Sequence, residues 1–526
     1  MTIRTAALGL VPAVLALSIV TLANRAGGQE ARPQPSSSQP TAASQPPVAP
    51  SGQKGAPSSS SRGNATTPGE ARRLPEDSTT KQTITVGGRT LSFTATAGSL
   101  RLFNQGGDPQ ADIAYTAYQL DGSDPRTRPV TFFFNGGPGA SSAYLQLGCA
   151  GPWRLPIEGE AANSSAAVEL KPNAETWLDF TDLVFVDPVE TGYSRFASTD
   201  GDAGKTFLSV NGDVNALAVT IRRYVEKTDR LLSPKFIVGE SYGGIRVPKI
   251  VRELQTQQGI GVKGVILVSP AFDFRDINGT SLLQYVTSLP SMVAIAREAK
   301  HPVTRADMDD VETYARGEFI ADLLKGQADK EATARLADRV AALTGIDQAL
   351  TRRLAGRLDI SEFRREFDRR DGKVTGRYDG SVLGFDPDPE SSRSYFDDPS
   401  GDPLIAPLTT AAIDLTRQTL NWRPDGPYRL LNKSLSWDYG RGRNEVESMS
   451  DVRQILALDP KLRLLVGHGL FDLTTPYFGS KTRLDQLPPF GSPERVKLVV
   501  YPGGHMFYSR EASRRAFRTE AEALMK

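Results

Sequence analysis

An α/β architecture, built on a mostly parallel central sheet with helices on both faces, is predicted by three features of this 526-residue sequence. Short apolar runs bounded by Gly and Pro recur between Val130 and Val500, and helical stretches fall between several of them. One long block, about residues 281–439, carries helical periodicity and no comparable strand run. Runs without polar alternation are what strands buried on both faces look like. Their alternation with helices argues for a parallel sheet covered on both sides.

Taken in order, the chain begins with a targeting signature. Arg4 precedes an apolar run from Ala6 to Ala23, interrupted by Pro12, Ser18 and Thr21. Thr21-Leu-Ala23 ends it on small residues, where a signal peptidase would cut. Residues 1–26 are therefore expected to be a signal peptide. The run also approaches membrane-spanning length, so an uncleaved N-terminal anchor is the alternative. Residues 27–73 are Pro, Ser, Gln, Ala, Thr and Gly in the main. Between Ala31 and Arg73 there is no aromatic, and Val48 is the one large aliphatic side chain. Such a segment buries too little apolar surface to offset its ordering entropy, and is expected to be a disordered tether.

The catalytic domain is expected over residues 74–526. Thr83–Val86, Thr90–Ala95 and Ile113–Leu120 alternate or carry β-branched residues, and read as antiparallel strands that open it. The buried strands follow as Val130–Phe134, Leu183–Val186, Phe236–Val238, Val265–Val268, Leu462–Val466 and Val496–Val500. Val214–Tyr224 and Ile245–Leu254 are helical stretches between them. In residues 281–439, Val311, Tyr314, Ala315 and Phe319 recur at helical spacing, as do Leu336, Val340 and Leu343. This block is expected to be a largely helical insertion over the sheet's C-terminal edge, where lids sit.

Composition narrows the function classes. With 62 basic and 61 acidic residues, the charge balance gives no reason to expect nucleic acid or an anionic membrane as partner. The single cysteine, Cys149, forbids an intramolecular disulfide and a lipid anchor on a processed N-terminal cysteine. Export without disulfides suits a bacterial periplasm or cell exterior. One cysteine and three scattered histidines make no metal cluster, and no cofactor is implied.

The chemistry lies in three segments. Gly239-Glu-Ser241-Tyr-Gly243 follows the strand Phe236–Val238 and precedes the helix Ile245–Leu254. Strand, G-x-S-x-G, helix is the context of a nucleophile elbow, and it predicts the α/β-hydrolase fold with Ser241 exposed on a strained turn. A serine hydroxyl needs a base. In this fold the order is nucleophile, acid, histidine, with the histidine after the last strand. His505, in Tyr501-Pro-Gly-Gly-His505, fits that order. His301 lies in the charged insertion. His468 is a rival base, but it precedes every acid at that edge. Asp472, six residues past Val466, is the expected acid that orients the imidazole, with Asp485 as the fallback. Val130–Phe134 runs into Asn135-Gly-Gly-Pro-Gly-Ala-Ser-Ser142, a Gly-rich loop whose N–H groups can approach a developing oxyanion. A phosphate-cradling loop would need a Lys-Ser/Thr end, and Pro138 stands in its middle.

At these motifs the sequence resembles the serine carboxypeptidase family, whose hallmarks are N-G-G-P-G-x-S-S, D-x-P-x-G-x-G-[FY]-S and G-E-S-Y-[AG]-G, then aspartate and histidine segments near the C-terminus. Here they stand as Asn135–Ser142, Asp187–Ser194, Gly239–Gly244, Gly467–Tyr477 and Pro502–His505. The resemblance covers about Leu74 to Lys526 and is weakest in the insertion. It implies an exopeptidase that removes C-terminal residues of peptides or proteins through an acyl-enzyme on Ser241. It further implies an oxyanion hole from the Gly137 and Tyr242 N–H groups, and a grip on the substrate's terminal carboxylate by Asn135, the Gly136 backbone and Glu240. The family's motif cysteine is Ala140 here. Its second carboxylate-binding glutamate, two residues before a Gly-Pro, is replaced by Cys149. Glu190 stands where glycine is usual. An esterase or acyltransferase using the same triad, and an inactive hydrolase-fold binding protein, are the alternative readings.

Overall fold

Three long antiparallel strands, β1 (Ser78–Val86), β2 (Arg89–Phe103) and β3 (Pro109–Leu120), open the domain as a meander. The computed structural model describes residues 73–157, 163–165, 168–197, 202–276, 281–391, 398–440 and 446–526. The expected signal segment, residues 1–26, and residues 27–72 of the expected tether lie outside them. Strands β4 (Val130–Phe134), β5 (Asp182–Val186), β6 (Lys235–Glu240) and β7 (Gly264–Val268) are buried at every position. Strands β8 (Arg463–Gly469) and β9 (Val496–Tyr501) complete the row, with β9 half-buried at the edge.

The strand order is β1-β2-β3-β5-β4-β6-β7-β8-β9, with the two-residue strand Arg195–Phe196 paired beside β3. Strand β3 meets β5 antiparallel, and every pair from β5 onward is parallel. This is the predicted α/β-hydrolase class. The lack of alternation in the apolar runs has a direct cause, since successive side chains feed two cores. Phe132, Ile237, Val265 and Val466 point to one face, beneath helices α1 (Val210–Lys227) and α2 (Gly243–Glu253). Phe133, Val238, Ile266 and Leu465 point to the other, with the aromatic and aliphatic side chains of the C-terminal helix.

The insertion is largely helical, as expected. Its long helices are α3 (Leu283–Glu298) and α4 (Lys330–Thr344). Val311, Ala315, Phe319, Leu336 and Val340 are buried in a third core, which also takes in Leu470, Phe471, Leu473 and Tyr477 from the segment after β8. A short hairpin, Lys373–Thr375 with Leu383–Phe385, interrupts the helices and was not legible as strand. One boundary differs from expectation. Strand β8 continues through Gly469 by pairing with β9, so His468 lies within the strand rather than after it. Helices α5 (Met449–Leu458) and α6 (Glu511–Met525) finish the two flanking layers. Among the described residues, no helix is long and apolar enough to cross a membrane.

Candidate active site

Ser241 follows β6 and precedes α2 by one residue, at φ +60°. A side chain held in left-handed backbone costs roughly 1–3 kcal/mol, and persists where its surroundings over-determine it. They do so here. The Ser241 N–H donates to the Val268 carbonyl at 3.0 Å, and its own carbonyl accepts from Gly244 and Ala271 at 2.9 and 3.0 Å. At Gly239 a Cβ would lie 2.5 Å from Val247 Cγ2, so only glycine lets α2 fold back this closely.

Asp472 and His505 meet on adjacent loops at the C-terminal ends of β8 and β9. His505 Nδ1 lies 2.7 Å from Asp472 Oδ2. That carboxylate also accepts from the Thr474 and Thr475 N–H groups, at 2.7 and 2.9 Å, and from the Thr475 hydroxyl at 2.9 Å. With Nδ1 committed to Asp472, Nε2 is the ring nitrogen left to act as base. Burial works to lower the His505 pKa, but the Asp472 carboxylate and then Glu240 outweigh it and leave it raised. The loop after β7 ties this pair to the nucleophile turn. Ala271 N–H binds the Ser241 carbonyl, and Ser269 Oγ donates to the His505 carbonyl at 2.8 Å.

The rival residues are differently engaged. His468 is fully buried, with Nε2 at 2.7 Å from Ser480 Oγ, and burial drives its pKa down to about 3. Asp485 pairs with Lys481 at the half-exposed end of a helix, and His301 is exposed on the insertion.

The Gly-rich loop packs against the nucleophile turn. A Cβ at Gly136 would fall 2.5 Å from Tyr242 N and 2.6 Å from the Glu240 carbonyl. Glycine there lets Gly136 lie directly beside the Tyr242 N–H. Asn135 is buried and accepts from Leu145 N–H at 3.0 Å, while its side chain also hydrogen-bonds Glu240. Glu240 is buried next to the nucleophile. Burial pushes its pKa up to about 7, against the opposing pull of His505, Tyr508 and Asn135.

Three partners escaped the sequence reading. Tyr508 donates its hydroxyl to Glu240 Oε2 at 2.8 Å, and Cys149 lies close enough that both the thiol and the phenol feel the Glu240 charge. A tyrosine three residues past the histidine carries no motif signal. Tyr378, from the insertion, stacks on His505 with ring centres 5.1 Å apart, and its carbonyl accepts from the His505 N–H at 2.5 Å. Arg246 on α2, fully buried, pairs with Asp213 on α1 at 2.6 Å and donates to the Asn135 carbonyl. Among the described residues, no group of three or more His, Cys, Asp or Glu side chains could hold a metal ion.

Residues 98–317 match the serine carboxypeptidase family. The match is confined to that stretch, which holds Asn135–Ser142, Asp187–Ser194 and Gly239–Gly244. It is 31% identical over 179 residues to Serine carboxypeptidase-like 29 of Arabidopsis thaliana, covering 32% of this chain and 34% of that protein. It is also 31% identical over 144 residues to the pheromone-processing carboxypeptidase KEX1 of Yarrowia lipolytica, covering 27% and 21%. The chain thus spans about a third or less of the length of these two relatives. The crystal structure of a prohormone-processing carboxypeptidase from Saccharomyces cerevisiae superposes with a TM-score of 0.54. That likeness covers 82% of this chain and 91% of the other at 15% identity, and bears on the fold alone.

Proposed function

We propose that this protein is an exported serine carboxypeptidase that hydrolyses the C-terminal bond of peptides and proteins. Ser241 Oγ attacks the scissile carbonyl carbon while His505 Nε2 takes its proton. The carbonyl oxygen becomes the oxyanion, held by the Gly137 and Tyr242 N–H groups. Collapse expels the C-terminal amino acid, whose nitrogen receives the proton from His505, and leaves an ester on Ser241. Water, deprotonated by the same imidazole, then releases the shortened peptide. Asp472 holds the ring and stabilises the imidazolium through both steps.

One observation carries the exopeptidase reading: a buried carboxyl, Glu240, set directly before the nucleophile and kept protonated up to about pH 7 by burial. A protonated carboxyl donates a hydrogen bond to a peptide's terminal carboxylate, where an ionised one would repel it. Asn135 and the Gly136 backbone supply the remaining donors. Cys149 leaves the grip with one acid, and the Tyr508 hydroxyl is the group that meets it. Export rests on the Arg4 and Ala6–Ala23 segment, with the periplasm or cell exterior as destination.

The test is mass spectrometry of a mixed peptide library incubated with the protein. Loss of single residues from C-termini, absent with Ser241→Ala, supports the reading. Internal cleavage, or turnover of simple esters without any of peptides, contradicts it.

A further inference from the structure

The insertion ends in a strap, Tyr428–Asn432, that lies along the Gly-rich loop. Ser141 N–H donates to the Leu430 carbonyl at 2.9 Å, and Asn432 N–H donates to the Gly139 carbonyl at 2.8 Å. The Tyr428 hydroxyl reaches Ser141 Oγ at 3.1 Å. The strap is fastened in turn to the Asp187–Ser194 turn, where Gly192 and Arg429 exchange two backbone bonds of 2.8 and 2.9 Å. Glu190 governs that second attachment. Its Oε2 accepts from Arg429 Nη1 at 2.9 Å, its Oε1 from Phe196 N–H at 3.2 Å, and its backbone carbonyl from Asn432 Nδ2 at 3.0 Å.

Glu190 makes these bonds from φ +63°, a conformation that a Cβ disfavours and glycine adopts freely. An ion pair in which Arg429 is 38% exposed contributes little to global stability, so stability is a poor reason to keep a strained residue there. Strain at a non-glycine residue instead points to local use. The same Glu190 binds both ends of the strap, and the strap binds the loop that bears Gly137.

We propose that Glu190 is a positioning residue: through Arg429 and Asn432 it holds the strap against the Gly-rich loop and so keeps the Gly137 N–H aimed at the developing oxyanion. The proposal rests on the oxyanion role given to Gly137 above. The strap fastens the loop at Gly139 and Ser141, on the Gly137 side and away from Asn135 and Gly136 of the grip, so its loss lowers kcat and leaves KM in place.

The experiment compares the full chain with Glu190→Gly, Arg429→Gln and the double variant. It reads the rate at which a fluorophosphonate labels Ser241, kcat and KM on a blocked dipeptide, and the melting temperature. The expected result is a fall of about 10- to 100-fold in labelling rate and kcat for each variant, with KM held within about twofold. Glu190→Gly should melt no lower than the wild type, because glycine relieves the strain. The double variant should be no worse than either single one, as one linkage is broken in all three. Unchanged labelling in Glu190→Gly, losses that multiply in the double variant, or a fall in rate matched by a fall in melting temperature would overturn the proposal. A wild-type chain that does not label at Ser241 at all instead removes the oxyanion reading on which it stands, and the proposal goes with it.

Discussion

At the scale of single residues, the proposed mechanism asks opposite proton states of two buried groups. In the proposed mechanism His505 must be neutral to take the serine proton, and its pKa is raised, so kcat should fall as pH drops through the value set by Asp472 and Glu240. Under the same proposal Glu240 must be protonated to receive a carboxylate, so substrate affinity should fall as pH rises through about 7. The product is a narrow bell near or just below neutrality. Tyr508→Phe removes a donor that favours the ionised form of Glu240, so the alkaline limb of affinity should move to higher pH. Glu240→Gln should flatten that limb altogether, because an amide donates at any pH. A limb that stays put in both variants, measured as KM against pH, would remove Glu240 from the grip. Ser241→Ala should cost on the order of 10⁴ to 10⁶ in kcat, and His505→Ala about as much, since the two act as one unit. His468→Ala should cost activity only through packing, because its ring bonds Ser480 rather than Asp472. Assaying both histidine variants beside each other checks the choice of base.

At the scale of elements, the site depends on contacts between helices and loops far apart in sequence. Helices α1 and α2 are tied by Asp213 and Arg246, and the same guanidinium supports the Asn135 carbonyl at the mouth of the Gly-rich loop. Replacing Arg246 by Met leaves Asp213 charged and buried without its partner, which should cost roughly 3–5 kcal/mol of stability. Chemical denaturation of the variant tests this, and a loss below about 1 kcal/mol would mean the pair is not structurally required. The strands and elbow were legible because their signals are local: apolar runs, a G-x-S-x-G between strand and helix, and Gly-Gly before His505. The supporting cast was not. Tyr378 reaches His505 from 127 positions earlier, and Arg246 reaches Asp213 across a strand, so neither contact leaves a periodicity or a spacing to read. His468 lies inside its strand for a related reason: strand β8 is prolonged past Val466 to Gly469 by its partner β9, a cross-strand effect invisible in Leu462–Val466 alone.

At the scale of the whole molecule, the insertion supplies part of the candidate site's framework. Its Arg377 and Tyr378 carbonyls accept from Leu473 and His505, and its helices share a core with the loop that carries Asp472. Sequence periodicity revealed its helices, but not that the segment between them would hold the loops that carry Asp472 and His505. At the other end, Leu74 is buried and its N–H reaches Asp112, while the Trp422 indole donates to the Glu76 carbonyl at 3.1 Å. A chain beginning at Arg73 should therefore keep full turnover, whereas one beginning at Ser78 should lose stability. Thermal melting and specific activity of the two truncations decide it. The central claim, that Glu240 grips a free C-terminus beside Ser241, is tested most directly by kcat/KM for one peptide offered as free acid and as C-terminal amide across the pH range. The account predicts a strong preference for the free acid below about pH 7, shrinking as pH rises and Glu240 ionises. Equal cleavage of acid and amide at every pH would contradict it.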